Sequence, residues 1–218
     1  MDSSFFTSER HNLQYGTVSA MSMQAPSETL KAFIDDLWVW GPRARSACEA
    51  SYGMDTIRQA TKRDMILVKQ VGHMRVYVLT GRGLREFGYA KRYNYVPATD
   101  TLKATMLMRY VLHQLKEQGY TDPARYEGYA SGLQNIVTLR KDGETIAVVA
   151  RASLTTRTMY NIIAHFASLD GQEQPARVQF FVTNAMKEQV ESGKIIKGYP
   201  VEVQHVPLAQ IKALEAVL

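Results

Sequence analysis

At 218 residues, 45% of them apolar and 22% charged, the chain has the composition of a globular protein of one or two domains, long enough to bury real cores. Its single cysteine, Cys48, excludes an internal disulfide, and no stretch approaches the ~18 apolar residues that a membrane span needs. The net charge of +5 is modest but uneven: Trp40 to Arg109 carries thirteen Lys or Arg against five Asp or Glu, a net of +8, while the remainder carries thirteen against sixteen, a net of −3. Such a patch attracts polyanions through counterion release, whatever their sequence; the plain reading of the same count is a solvated basic face.

Residues 1–25 are rich in Ser, Thr, Gln and Met and read as a flexible arm, with Phe5 and Phe6 either anchors for a partner surface or part of a disordered leader. No basic region followed by an apolar core opens the chain, so no secretory signal is expected. With one cysteine this fits a reducing compartment, and the expected localisation is cytoplasmic. Ser27 can cap a helix whose apolar positions Leu30, Phe33, Ile34, Leu37 and Trp38 recur at helical spacing up to Gly41-Pro42. A second helix is predicted over 43–52, stopped by Gly53, and a third over 56–63, capped by Asp55. In the third, Arg58 and Lys62 share a face, Gln59 and Arg63 add polar groups, and only Ile57 and Ala60 ask for burial. A short helix of that kind is a recognition-helix candidate.

Two apolar-rich runs follow, 66–71 and 75–79, flanking Gly72-His73 as a β-hairpin with a tight turn. Lys69, Arg75, Arg82 and Arg85 surround it. Thr80-Gly81-Arg82-Gly83 closes the hairpin and starts a helix over 84–89. Lys91-Arg92-Tyr93-Asn94-Tyr95 is basic and aromatic at once, able to hold a phosphate and stack a base, or to pack its tyrosines on the domain. Thr99 or Asp100 caps a long helix over 101–118, and Gly119, Pro123 and Gly128 then mark a linker.

The pattern changes after the linker. Strands are predicted over 132–140 and 145–151 around Lys141-Asp142-Gly143-Glu144, the second apolar on both faces as a central strand would be. A helix over 157–169 is capped by Thr155 or Thr156, a strand runs over 177–183, a helix over 185–192, a strand over 199–205 and a closing helix over 207–217. The order is ββαβαβα. The fold class expected is therefore α+β: a winged helix-turn-helix with a long connecting helix over 26–120, then a small α/β domain over 126–218.

The phrase Tyr77-Val78-Leu79-Thr80-Gly81-Arg82-Gly83 is similar to the YxLTxxG ending of the wing in many bacterial winged helix-turn-helix proteins. The two parts together resemble the replication-relaxation family of plasmid and mobile-element proteins, over about residues 27–207. In that family a winged helix precedes a region like the restriction-endonuclease core. The resemblance implies a nuclease site with an acid near the first strand and acid-x-Lys on the second, holding a divalent metal. Here Asn135 stands at the first place and Val149-Ala150-Arg151 at the second, so the site implied is a degenerate one.

Other chemistry is sparse. His11, His73, His113, His165 and His205 show no metal-ligand spacing, and no Gly-rich phosphate loop is present. Arg151, Ser153, Thr155, Thr156 and Arg157 gather at a helix start, as an anion site or as a plain cap with two surface arginines. The sequence thus points to a non-enzymatic DNA-binding protein without metal or cofactor, duplex DNA being its partner. Arg58, Gln59, Lys62 and Arg63 would read the major groove, and the wing with Lys69, His73 and Arg75 the backbone or minor groove. Arg43, Arg45, Arg82, Lys91 and Arg92 would add phosphate contacts. The C-terminal part would serve dimerisation or a protein partner. The resemblance implies a replication, maintenance or regulatory factor of a plasmid, phage or similar element. Two alternatives stand beside this: a metal-dependent nuclease with a displaced site built from carboxylates such as Asp142, Glu144 or Asp170, and a protein-interaction adaptor whose winged helix does not bind DNA.

Overall fold

The structure, a computed structural model, describes residues 26–89, 97–126, 135–171, 174–184 and 195–213. The N-terminal arm, the run containing Lys91 and Arg92, and the helix predicted over 185–192 lie outside the described residues. Helix α1 (Glu28–Trp40) starts where its cap signal stands: Ser27 is extended and its hydroxyl accepts the Leu30 N–H at 3.2 Å. It ends at Gly41, whose φ of 75° suits glycine, and where a Cβ would sit 2.7 Å from Thr105 Cγ2.

Residues 43–44, predicted as the start of a helix, instead form strand β1 (Arg43–Ala44), and α2 (Arg45–Tyr52) begins only afterwards. The backbone of Arg43 and Ala44 finds partners along a neighbouring strand, opposite Tyr77 and Val76, before any helical turn can close. Helix α3 (Met54–Lys62) starts two residues early, on Gly53, so Asp55 lies within its first turn instead of capping it. The hairpin follows as read: β2 (Ile66–Val71) and β3 (Met74–Leu79) pair antiparallel around Gly72-His73. Thr80 caps α4 (Gly81–Glu86), its hydroxyl accepting the Gly83 N–H. The three strands form a sheet of order β1-β3-β2. Helix α5 (Thr99–Glu117) comes next.

The predicted linker is in part a strand. β4 (Thr121–Arg125) pairs with β5 (Ile136–Lys141) at the edge of a second, six-stranded sheet. Its first four residues are exposed, so no apolar alternation announces it. Pro123 is tolerated because an edge strand needs only one row of its hydrogen bonds, and the register shift between Thr121 and Ala124 absorbs the positive φ of Asp122. The chain continues through β6 (Glu144–Arg151), α6 (Thr156–Ala167), β7 (Arg177–Val182), β8 (Ile195–Ile196), β9 (Tyr199–His205) and α7 (Leu208–Ala213). The sheet order is β4-β5-β6-β7-β9-β8, parallel across β6-β7-β9 and antiparallel elsewhere. From residue 121 the described order is therefore βββαβββα, against the predicted ββαβαβα, with 185–192 undescribed.

Three apolar cores hold these elements. Leu30, Phe33, Ile34, Leu37, Cys48, Ile57, Ala60 and Tyr77 join α1, α2 and α3 to one face of the small sheet. Met74, Val76 and Val78 alternate to its other face and meet Leu102, Met106, Leu107 and Val111 of α5. The same core runs on into Val137, Leu139, Ile146, Val148 and Ala150 of the large sheet, whose opposite face, with Val149, Val178 and Phe180, is covered by Ile162, Ile163 and Phe166 of α6. The molecule is thus a mixed α+β fold in which α5 lies between two sheets. That position explains why α5 is buried on several sides, with nine buried residues in nineteen.

Candidate nucleic-acid interface

Helix α3 buries Ile57 and Ala60 and leaves Arg58, Gln59 and Lys62 exposed on its outer side. Arg58 is 71% exposed and pairs with Asp55, itself 98% exposed, at 3.1 Å. Arg63, at the helix end, turns away from this group: its guanidinium pairs with Glu86 of α4 and is largely covered. Arg82 of α4 is exposed and reaches Asp64 at 3.2 Å. The two residues that follow α3 are therefore tied to α4 by ion pairs, and Arg58, Gln59 and Lys62 of α3 and Arg82 and Arg85 of α4 are exposed.

The arginines before α3 are both paired with acids of their own chain, Arg43 under cover and Arg45 at the surface. Arg43 is half-buried, donates to Ser51 Oγ at 2.9 Å and Tyr52 Oη at 3.4 Å, and lies 3.5 Å from Asp36. Arg45 donates to Glu49 Oε1 at 2.6 Å, an oxygen that also accepts the Tyr77 hydroxyl at 3.3 Å. A phosphate reaching Arg43 has to compete with Asp36, while the partly exposed Arg45 offers its remaining guanidinium donors beside Glu49. Arg109 of α5 is the centre of this buried network. It grips Asp36 with both Nη atoms at 3.1 Å, and donates to the carbonyls of Gly41 at 2.8 Å and Pro42 at 2.9 Å. Burial pulls its pKa down and the Asp36 carboxylate raises it again. Cys48 lies beneath, its thiol pushed up to about 12 mainly by burial, which leaves it a core residue without thiolate character.

The hairpin divides its polar residues between two faces. Gln70 stands opposite Arg75 on the side of α1, α2 and α3, and both are exposed. Lys69 stands opposite Val76, a core residue on the α5 side, so Lys69 and Arg75 do not share a face. The tip is seated: Val71 and Met74 are fully buried, and a Cβ on Gly72 would come within 2.8 Å of Leu208 Cδ2 in α7. His73 is exposed beside it. Lys91 and Arg92 lie outside the described residues.

In the second part, the two positions singled out by the nuclease comparison do meet. Asn135, 5% exposed, and Arg151 line one cavity of about 190 Å³ with Asp100, Thr101, Ala104, Ala152 and Ser153. No carboxylate takes the expected places. Asp142 and Glu144 line a different small cavity with Lys141 and Arg177, at the far end of β6. That is about 23 Å from Arg151 at 3.3 Å per strand residue. Among the described residues no three His, Cys, Asp or Glu side chains are grouped to hold a metal ion, and no helix is long and apolar enough to cross a membrane. His165 meets the Tyr126 hydroxyl at 2.6 Å, and burial lowers its pKa.

A larger, mostly apolar cavity of about 700 Å³ opens between α1, α5 and β4, floored by Trp40, Leu112, Tyr120 and Leu139 and edged by Asp36, Arg43 and Arg109. The sequence carried no local sign of it, because its lining comes from five separate elements. Compared with family models, curated proteins and solved structures, the chain matches none of them.

Proposed function

We propose that this chain is a DNA-binding protein that presents α3 to the major groove of duplex DNA. What carries the reading is the outer face of α3, where Arg58, Gln59 and Lys62 stand exposed over a buried Ile57 and Ala60. The order α1-β1-α2-α3-β2-β3, with its antiparallel β1-β3-β2 sheet, supports it as a winged-helix layout. In this reading Arg58 and Gln59 contact base edges while Lys62, Arg82 and Arg85 hold phosphates. Gln70 and Arg75 of the hairpin lie on the α3 side and add flanking contacts. The buried tip argues against a wing that probes the minor groove on its own. The biological setting, replication, maintenance or regulation of a plasmid, phage or similar element, rests on the family resemblance alone.

The test is a duplex titration at two salt concentrations. Binding should weaken with salt in proportion to the phosphates neutralised. Arg58→Ala should cost about 1–3 kcal/mol of binding, and Lys62→Ala should reduce the salt slope by about 1. Unchanged affinity in both variants rejects α3 as the reading helix. Absence of duplex binding rejects the function and leaves the adaptor reading.

A further inference from the structure

Arg151 closes a strand whose preceding residues, Ile146 to Ala150, are buried and apolar. Its guanidinium is largely covered, its Nε is buried without a hydrogen-bond acceptor, and no carboxylate among the described residues pairs with it. A covered cation without a partner is costly to fold around, so a site that keeps one has a use for an anion that the protein itself does not supply. Asn135 faces the same cavity. It is 95% removed from solvent by its 5% exposure, its Oδ1 accepts the Thr105 hydroxyl at 3.4 Å, and its amide donors have no partner among the described residues. Thr101 and Ser153 add hydroxyls, and the first turn of the nineteen-residue α5 lines the wall, its N-cap Ala98 offering no side-chain acceptor. Asp100 is the one acid on the rim, exposed and engaged by Lys103 at 3.3 Å.

We propose that the cavity formed by Arg151, Asn135, Thr101 and Ser153 is a binding site for a phosphate-class oxyanion. The donors outnumber the acceptors, the charge is one unpaired cation, and the volume of about 190 Å³ takes a tetrahedral oxyanion with room for the group that carries it. Burial alone lowers the Arg151 pKa, as expected of a site completed only by its ligand. The site does not depend on the DNA-binding face, which lies on α3 and α4.

The experiment uses the full chain with inorganic phosphate as probe, against chloride at equal ionic strength. Phosphate should raise the unfolding temperature of the wild-type chain, and isothermal titration should give a single site. Arg151→Met should bind phosphate at least ten-fold more weakly, yet be no less stable than wild type in phosphate-free buffer, because it removes an unpaired charge. Asn135→Asp, which places a permanent carboxylate in the cavity, should also lose the response, while Arg157→Gln, an exposed neighbour on α6, should keep it. Duplexes ended with 5′-phosphate or 5′-hydroxyl identify the source: a loss in Arg151→Met confined to the phosphate ends assigns a DNA terminus, and no effect on either duplex assigns a small anion. A wild-type chain indifferent to phosphate overturns the proposal, as does a response that survives in both Arg151→Met and Asn135→Asp.

Discussion

Asp55 stands in the first turn of α3, three residues before the arginine it holds. At 98% exposure its pair with Arg58 is worth no more than about 1 kcal/mol, and its favourable position at a helix N-terminus adds about 0.3–1 kcal/mol. Toward a polyanion the same carboxylate is repulsive, and it occupies the guanidinium that would meet a base or phosphate. Asp55→Asn should therefore leave the unfolding midpoint nearly unchanged and tighten duplex binding several-fold at low salt, the gain fading as salt rises. Filter binding or fluorescence anisotropy at two salt concentrations reads this directly, and an affinity that stays the same or falls at low salt would mean that α3 faces away from the phosphates. At this scale the sequence sorts residues poorly. Arg43, Arg45, Arg58 and Arg63 are equivalent as letters in a basic segment. What separates them is the acid each one meets: Asp36 and Glu86 for Arg43 and Arg63, Glu49 for Arg45, and Asp55 for an Arg58 that remains exposed. Only the two helical pairs at short spacing were readable in advance.

The hairpin is the element where local reading and tertiary packing part company. Its boundaries follow from Gly72-His73 and the apolar runs on either side, because a two-residue turn fixes the register of both strands. Helix α1 is equally legible, since Ser27 and the spacing of Leu30, Phe33, Ile34 and Leu37 act within one element. The seating of the hairpin tip is not, because Leu208 lies at the other end of the chain. Strand β4 fails for another reason: its exposed residues and Pro123 carry no strand period, and it exists only because β5 offers it an edge. The tip can be weighed by two glycines. Gly72 and Gly143 both hold positive φ, at 58° and 82°, but a Cβ meets Leu208 at the first and nothing within 4 Å at the second. Alanine at Gly143 should cost the backbone term alone, about 1 kcal/mol. At Gly72 it should cost about 1–3 kcal/mol more through overpacking against α7. Urea unfolding of the two variants measures the difference; equal costs would mean that the tip is not held by α7.

The sequence suggests a boundary between residues 120 and 126, yet the central core crosses it. Val71, Met74, Val76 and Val78 of the hairpin are each no more than 3% exposed, and they are covered by α5, whose other side packs on β6. Separating the small sheet from α5 would uncover these four side chains at about 1.5–3 kcal/mol each, or roughly 6–12 kcal/mol together. That is the size of the whole stability of an ordinary domain, about 5–15 kcal/mol. The Arg109–Asp36 grip adds a second tie between α5 and α1, with the arginine side chain only 9% exposed. The described parts should consequently unfold as one cooperative unit. The two tryptophans, Trp38 and Trp40, both lie in α1, so their fluorescence reports the first part while far-ultraviolet circular dichroism reports all elements. The two probes should give coincident midpoints in urea. Asp36→Ala leaves the Arg109 guanidinium buried against carbonyls alone and should lower both midpoints together, by about 3–5 kcal/mol in stability. A fluorescence transition that precedes the dichroism transition would show that α1 and the small sheet come away first, and the continuous core through α5 would then contribute less than its burial implies.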